Sequence, residues 1–524
     1  MPFRMDTTDQ AYRAERHYSW PRAGSDNGES QASVEPRTGT APPRSHRTRS
    51  IFGYEWAPAA LFLFLDVSFW ALIYGTISFL RGDAFYSTSL QFFLVDVLQL
   101  GVIVQAIFII GGYSRSTETR SLTYTAEHIL AIITALAVSS LLIYVAATFD
   151  QSMKPSRGVL LLSFVAFLPL SIFYRRAFAG RIANSAANRA FLVIGSGKVA
   201  TEFYEAYQRS SSRQRLEFVD PDGQRLGERI AGAGSPAIEG NCKDKLANLD
   251  HHYSGVILAE RLERLGRDLV ENLVRTQFHS ARVYTLESFY EAHWRHVPLH
   301  AIDPVWPLQM GFQLARSSPY HYLKRLFDLA FSMALLVVFA PLFAIIALLI
   351  WMEGKRESSS DPIHGSRRPI IFRQERVGRA NQPFVAYKFR TMLMNSPKEP
   401  GDIYTKKNDP RVTRLGRWLR KLRFDELPQL FNVFRGEMSL IGPRAEWVRC
   451  AERYEKAIPF YHFRHLVKPG ITGWAQVNYP YGESDEDAIE KLKYDLYYIR
   501  NYSLTLDAMI VLKTVHTMLF SKGR

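Results

Sequence analysis

Four apolar stretches, at roughly 56–80, 89–112, 126–149 and 158–178, constrain this chain more than any other feature. Each has the ~20 residues needed to cross the hydrocarbon core of a bilayer, and each is bounded by polar turns. A four-helix transmembrane bundle over residues 51–180 is therefore expected. Arginines set its orientation. Arg37, Arg44, Arg47 and Arg49 precede the first segment, Arg115 and Arg120 lie in the second loop, and Arg175, Arg176 and Arg181 close the fourth segment. The first and third loops carry fewer cations, which places both ends of the bundle on the cytoplasmic side. Asp66 and Asp96 fall inside apolar segments, where a carboxylate is a functional candidate by default. Nothing nearby completes a transport pathway, so interhelical hydrogen bonding near the interface is the expected role.

Residues 1–50 are rich in Arg, Ser, Pro, Gly and Thr without apolar periodicity, the composition of a disordered cytoplasmic tail. They do not read as a signal peptide, because the first apolar run begins only near Trp56. Beyond the bundle, residues 185–305 switch to a soluble α/β pattern. RAFLVIGSGKVATEFYEAY reads as strand, glycine turn and helix, and LEFVD and SGVILAE read as further strands. Gly195-Ser196-Gly197-Lys198-Val199-Ala200 matches a relaxed dinucleotide fingerprint, with Asp220 near the place of a ribose-binding acid. That signal is weak, so a packing or regulatory module is favoured there over a bound nucleotide.

A fifth apolar run, Leu326–Trp351, has cations on both sides: Lys324 and Arg325 before it, Lys355 and Arg356 after it. A spanning helix would strand one pair outside, and Pro341 would break the helix near its middle. Together these predict a re-entrant helix–break–helix over 323–354 that enters and leaves on the cytoplasmic face. The C-terminal run 485–522 repeats Ile489, Leu492, Leu496 and Ile499 on one side and adds Tyr494, Tyr497, Tyr498 and Tyr502. It reads as an interfacial amphipathic helix or equally as a core helix.

A chain of 524 residues can build two or three cores. Its two cysteines, Cys242 and Cys450, have no metal-ligand spacing and argue against a disulfide framework. The net charge of +15 would suit nucleic acid, anionic lipid or an acidic substrate. No nucleic-acid-binding module is visible, so membrane lipid and phosphorylated substrates are the expected partners.

The most chemically informative stretch is LRFDELPQLF (422–431) followed by NVFRGEMSLIGPR. It sets the adjacent acids Asp425 and Glu426 among Arg411, Arg414, Arg417, Arg420, Lys421, Arg423, Arg435 and Arg444. Neighbouring cations keep a carboxylate ionised and attract phosphate. Pro428 suits the first turn of a helix and Asp425 its N-cap, with free amides facing an anion beside it. A helix cap amid a solvated cationic surface is the plainer reading of the same residues.

From Lys324 to its end the chain resembles the bacterial sugar transferases of the monotopic phosphoglycosyl transferase superfamily. The stretches that carry the resemblance are KRLFDLAFSMALLVVFAPLFAII, IIFRQERVG, FVAYKFRTM, NDPRVTRLGRWLRKLRFDELPQLFNVFRGEMSLIGPR, KPGITGWAQVN and YDLYYIRNYSLTLD, in family order. The resemblance is to the large polytopic subclass of polyprenyl-phosphate hexose-1-phosphate transferases. It implies a membrane α/β protein with a four-helix bundle, a Rossmann-like middle domain, and a catalytic domain at 320–524 with a re-entrant helix and interfacial amphipathic helices. It places the protein in the bacterial inner membrane as a multi-pass chain with its catalytic domain on the cytoplasmic face. It also suggests a homodimer and downstream glycosyltransferases that extend the product.

The implied reaction moves a hexose-1-phosphate from a UDP-sugar, first UDP-glucose and next UDP-galactose, to undecaprenyl phosphate with release of UMP. That step starts exopolysaccharide repeat units. The resemblance implies that Asp425 is the nucleophile and forms a phosphosugar-aspartyl intermediate. Glu426 is the second acid of the dyad. Mg2+ is the implied metal, on Asp425 and Glu426, since carboxylates and phosphate oxygens are hard ligands. Arg420 matches the family's phosphate-binding arginine, and Lys388, Arg390 and Arg444 belong to the basic lining. His462 and His465 are three apart, but packing or headgroup contact is expected rather than a metal pair. Two features depart from the family. Ala445 replaces the usual proline after Gly-Pro-Arg and is expected to loosen that turn, and the polar insert at 355–368 is longer than usual and is expected to be an exposed loop.

Two other classes compete. A catalytically inactive scaffold of a polysaccharide assembly would not need the intact acid pair. An NAD-dependent nucleotide-sugar dehydratase would need a Tyr-x-x-x-Lys pair, which residues 200–300 lack.

Overall fold

The structure is a computed structural model. It describes residues 56–82, 90–114, 117–149, 156–187, 189–210, 214–247, 253–260, 264–279, 281–302, 319–359, 369–393, 411–479 and 484–520, with Leu249, Trp306, Phe312, Asp409 and Gly482 between them. The expected tail at 1–50 and most of the polar insert, 360–368, lie outside the described residues.

The apolar segments form α1 (Ala57–Leu80), α2 (Leu90–Ile109), α3 (Leu122–Phe149) and α4 (Arg157–Ala187). α1, α3 and residues 157–182 of α4 are long and apolar enough to cross a bilayer, while α2 qualifies only as a shorter apolar helix over Asp96–Ile109. Large apolar side chains such as Phe64, Leu141, Leu162 and Phe173 face outward, as a lipid-facing surface demands. Polar groups are drawn inward. Asp66 of α1 is fully buried and accepts both guanidinium nitrogens of Arg175 from α4, Nη2 at 2.6 Å and Nη1 at 2.9 Å. Tyr113 from the α2–α3 turn donates to it at 2.6 Å, and Tyr174 also donates to it. Asp66 thus ties helices together, as the intramembrane-carboxylate argument expects.

The middle region is a five-stranded, wholly parallel sheet in the order β3-β2-β1-β4-β5, built from β1 (Ala190–Ile194), β2 (Arg215–Asp220), β3 (Ile238–Asn241), β4 (Tyr253–Leu258) and β5 (Val283–Thr285). Helices α5 (Lys198–Arg209), α6 (Cys242–Ala247), α7 (Arg267–His279) and α8 (Leu286–Trp294) accompany it, and separate apolar clusters cover its two faces. This is the doubly wound order that binds dinucleotides where the order reverses. Here the crevice is laced by the chain itself. Ser196 donates to Asp220 Oδ1 at 2.6 Å, the amides of Gln224 and Arg225 bind Oδ2 at 2.7 and 3.2 Å, and Arg225 reaches the Ser196 carbonyl. Gly195 has φ +137°, and a Cβ there would stand 2.6 Å from the Ala259 carbonyl oxygen, so close packing of backbone requires this glycine.

The fifth apolar run is broken. α9 (Tyr320–Val338) and α10 (Ala340–Ser359) meet at Phe339 with a bend of 59°. Pro341 sits in the first turn of α10, where its missing N–H costs nothing. The two cations that precede the run have specific partners: Lys324 binds Asp507, and Arg325 donates to the carbonyls of Val433 and Phe434 at 2.7 and 2.8 Å.

The remaining elements pack around three apolar clusters. They are β6 (Ile371–Val377) and β7 (Pro383–Phe389) as a hairpin, α11 (Arg414–Lys421), α12 (Gln429–Arg435), β8 (Ser439–Ile441), α13 (Val448–Ala457), β9 (Gly470–Thr472), α14 (Trp474–Asn478), α15 (Asp485–Arg500) and α16 (Leu504–Phe520). The interfacial reading of the C-terminal run is corrected for α15. Leu492, Leu496, Tyr498 and Ile499 are buried at 1% exposure or less, each contributing about 1.5–3 kcal/mol of apolar burial, whereas only Ile489 of the repeat is exposed. A Ser484–Asp487 capping box starts this helix. α16 packs against α2 and α3 as well as β8 and β9, so it joins this region to the apolar helices.

Candidate active site

The acid pair sits in a tight reversal. Thr413 caps α11 by accepting from the Gly416 amide at 2.9 Å, and the helix ends at Leu422. Arg423 then adopts φ +60°, the left-handed conformation usually left to glycine. That turn throws Phe424–Glu426 into a single 3-10 turn ahead of α12. The N-cap expectation is corrected here: Pro428, not Asp425, occupies the N-cap position of α12, and no side chain caps it. The amides of Glu426, Leu427, Leu430 and Phe431 are taken by backbone carbonyls three residues earlier. A short, tight start therefore withdraws the amides that were expected to face an anion.

α12 is clamped to the hairpin. Asn432 accepts from the Tyr387 amide at 3.1 Å and donates to the Val385 carbonyl at 2.7 Å. At the other end, Gly436 turns left-handed at φ +87° and Arg325 binds the last carbonyls. With helix and strand so fixed, Lys388 of β7 places Nζ 2.7 Å from Glu426 Oε1, and Arg444 places Nη2 3.2 Å from the same oxygen. Arg420 donates from Nε to Thr391 Oγ1 at 2.9 Å. Thr391 is thus the post for α11: its backbone also fills the space beside Gly416, where no Cβ would fit.

These contacts divide the two acids. Burial alone would raise Glu426, but Lys388 and Arg444 outweigh it and hold this carboxyl well below the usual range. Burial first, and then the charge of Glu426, push the half-buried Asp425 upward despite Lys388, Arg420 and Arg444. The neighbouring cations favour the ionised form of both acids. They act first on Glu426, which leaves Asp425 as the more basic carboxyl of the pair. Burial also pushes the Lys388 ammonium down, against the pull of Glu426.

Of the expected basic lining, the structure brings Lys388, Arg420 and Arg444 to the dyad. Arg390 goes elsewhere: it is buried and donates from Nη2 to the Ile350 carbonyl of α10 at 3.2 Å. The turn at Ala445 is not loose. Arg464 binds the Arg444 carbonyl at 3.0 Å, Arg376 binds the Ala445 carbonyl, and the Val377 amide binds the Glu446 carbonyl at 3.0 Å. Hydrogen bonds from neighbouring elements do what a proline ring would do for this turn. His465 is buried against Tyr461, at ring centroids 5.9 Å apart, and burial and Arg464 push its imidazole down to about 3, so it packs rather than titrates.

Sequence reasoning overlooked the supports behind Arg444. Arg464 pairs with Asp495 at 2.9 Å. Asp328 of α9 accepts from Ser439 Oγ at 3.0 Å and from the Leu440 amide at 2.9 Å, which anchors the strand leading to Gly442-Pro443-Arg444. The signal for Asp328 was present: it is a carboxylate inside an apolar run, the same cue that singled out Asp66.

Among the described residues, no group of three or more His, Cys, Asp or Glu is gathered for a metal. Two neighbouring carboxylates are nonetheless a fitting donor set for Mg2+, which keeps several waters and borrows substrate phosphate oxygens rather than needing an all-protein cage. An acid pair among cations, one acid neutralised and the other more basic, is suited to attack on and release from a phosphoryl group.

A family model described as bacterial sugar transferase matches residues 319–521. The chain is 39% identical over 271 residues to UDP-N-acetylgalactosamine-undecaprenyl-phosphate N-acetylgalactosaminephosphotransferase of Aeromonas hydrophila, covering 52% of this chain and 60% of that protein. It is 43% identical over 205 residues to undecaprenyl-phosphate glucose phosphotransferase of Komagataeibacter xylinus, covering 38% and 36%. With UDP-galactose-lipid carrier transferase of Erwinia amylovora the identity is 31% over 356 residues, covering 63% and 68%. The chain thus spans 60% and 36% of the length of the first two proteins.

Proposed function

We propose, from the premise that this chain belongs to the bacterial sugar transferase family, that it moves a hexose-1-phosphate from a UDP-sugar to undecaprenyl phosphate with release of UMP. The observation that carries the proposal is the Asp425–Glu426 pair, with Glu426 held by cations from two other segments, Lys388 and Arg444. The names of the relatives support a UDP-sugar donor and an undecaprenyl phosphate acceptor, and they divide among N-acetylgalactosamine, glucose and galactose.

In the proposed sequence a carboxylate oxygen of Asp425 attacks the phosphorus that bears the sugar. The bond from that phosphorus to the bridging oxygen breaks, and UMP leaves with the electron pair. A phosphate oxygen of undecaprenyl phosphate then attacks the same phosphorus. This frees the Asp425 carboxylate and gives the undecaprenyl diphosphate sugar. The raised basicity of Asp425 makes it the better nucleophile of the pair once ionised, and Glu426 holds Lys388 and Arg444 in place. Arg420, Lys388 and Arg444 bind the donor's phosphates; Arg390 fits a structural role better than the phosphate-binding one expected for it. Mg2+ held by Asp425 and Glu426 with substrate phosphate oxygens would supply charge neutralisation.

The proposal places the catalytic region, 320–524, on the cytoplasmic face of the inner membrane. It takes α9 and α10 as a re-entrant pair over 323–354 and α1–α4 as four spans within 51–180. Residues 185–305 form the Rossmann-like domain, and 1–50 a cytoplasmic tail. The product would start exopolysaccharide repeat units for downstream glycosyltransferases, from a homodimer. The test is UMP release by the purified full chain with undecaprenyl phosphate, Mg2+ and UDP-glucose, UDP-galactose or UDP-N-acetylgalactosamine, beside Asp425→Asn. Release with one sugar, abolished in the variant, is expected. Release that survives Asp425→Asn would end the covalent route, and no release with any sugar would favour the scaffold reading.

A further inference from the structure

A cavity of about 170 Å3 lies where the apolar helices, the parallel-sheet region and the C-terminal helix meet, and it shares no residue with the acid dyad. Thr117 and Glu127 reach it from the α2–α3 turn and α3, His293 and Arg295 from the end of α8, and Met509 and Lys513 from α16. Among the described residues that line it the charges do not balance: two cations, Arg295 and Lys513, share one carboxylate, Glu127. Lys513 Nζ stands 3.8 Å from Glu127 Oε1 and also donates to Asn478 at 3.1 Å. Arg295 donates from Nη1 to the Met509 thioether at 3.0 Å, a weak acceptor for so strong a donor.

Arg295 is also deliberately placed. Its backbone is left-handed at φ +56°, and its carbonyl is fixed by Trp474 Nε1 at 2.9 Å. Lys513 is held over the Trp474 ring at 5.3 Å. One tryptophan therefore fixes both cations at the cavity wall. Burial first, with Arg295 adding to it against Glu127, pushes the Lys513 ammonium down, so further negative charge beside it would stabilise the ammonium. An oxyanion would supply that charge, taking planar donors from arginine and a point charge from lysine.

We infer that this junction cavity binds a phosphate group, held by Arg295 and Lys513, with Glu127 as the competing anion. The phosphate comes either from solution or from a lipid headgroup at the bilayer surface. The test is the thermal unfolding midpoint of the full chain, titrated with inorganic phosphate in phosphate-free dodecyl maltoside and in phosphatidylcholine nanodiscs. Wild type is compared with Lys513→Gln, Arg295→Gln and Glu127→Gln. Inorganic phosphate also reaches the acid dyad, but equally in all four chains, so the difference between chains isolates the cavity.

In detergent, Lys513→Gln and Arg295→Gln should need about tenfold more phosphate for the same shift, the worth of one charge-assisted hydrogen bond. Glu127→Gln should need less, a gain that a merely structural ion pair would not produce. If Lys513→Gln does not fold, Arg295→Gln and Glu127→Gln carry the comparison. Differences that persist in nanodiscs assign the site to soluble phosphate. Differences that vanish there, with wild type already more stable than Lys513→Gln before phosphate is added, assign it to the lipid headgroup. Equal phosphate shifts for all chains in detergent overturn the inference.

Discussion

Replacing Lys388 by methionine tests the electrostatic reading of the acid pair. The Lys388 and Glu426 side chains are 16% and 10% exposed and 2.7 Å apart. Removing one member of such a buried pair costs about 3–5 kcal/mol when the other is left uncompensated. Arg444 remains 3.2 Å from the same oxygen, so the loss should approach that of one charge-assisted hydrogen bond, about 1.5–3 kcal/mol. A double-mutant cycle of Lys388→Met with Glu426→Gln, read by denaturant unfolding of the full chain in detergent, isolates the pair. The pH dependence carries a sign. Glu426 is held well below the usual 4.5, so its contribution is complete above that value and lost as pH falls toward the depressed one. The gap between wild type and Lys388→Met should therefore be full at neutral pH and close on acidification below about 4.5. Lys388 also lowers Asp425, so the acid limb of UMP release should move to higher pH in the variant. A coupling below about 0.5 kcal/mol, within the scatter of independent sites, or a gap unchanged through the acid range would refute the reasoning.

Asp66→Asn should cost about 3–5 kcal/mol by leaving Arg175 buried without its carboxylate, read as lost folded yield in detergent. Asp66→Leu with Arg175→Met should recover part of that loss. Gly416→Ala would drive a methyl into the Thr391 backbone and push α11 off its post, costing about 1–3 kcal/mol of stability and raising KM for the UDP-sugar as Arg420 shifts. At Arg423, φ +60° predicts that Arg423→Gly is near neutral in unfolding while Arg423→Val loses about 1–2 kcal/mol; equal losses would sink the backbone argument.

Much of the site was legible because its residues are clustered in sequence. Asp425, Glu426, Arg420 and Arg444 lie within one stretch of the chain, and a turn plus a helix can gather them locally. What was misread depended on hydrogen bonds that pattern does not reveal. Asp425 looked like a helix cap because Pro428 follows it, but the left-handed Arg423 and a 3-10 turn use up the amides such a cap would serve. Arg390 was placed with Lys388 in the phosphate-binding lining by the family resemblance. Yet Lys388 and Arg390 flank a strand end, and packing against α10 claims one of them. For α15 the amphipathic repeat was real, but periodicity states only that one face is apolar, not whether lipid or protein covers it.

The sequence by itself determined the apolar helices, the break near Pro341, the parallel α/β region and the acid dyad among cations. Each follows from local composition and spacing, which act over a turn of helix or a single strand. Only the tertiary structure decided which carboxyl the cations neutralise, which arginine is withdrawn to hold a helix, and how Asp328, Arg464 and Thr391 brace the site. Those outcomes turn on hydrogen bonds of about 3 Å between residues tens of positions apart, and a few ångströms decide whether a charge is paired or a chain carbonyl is met.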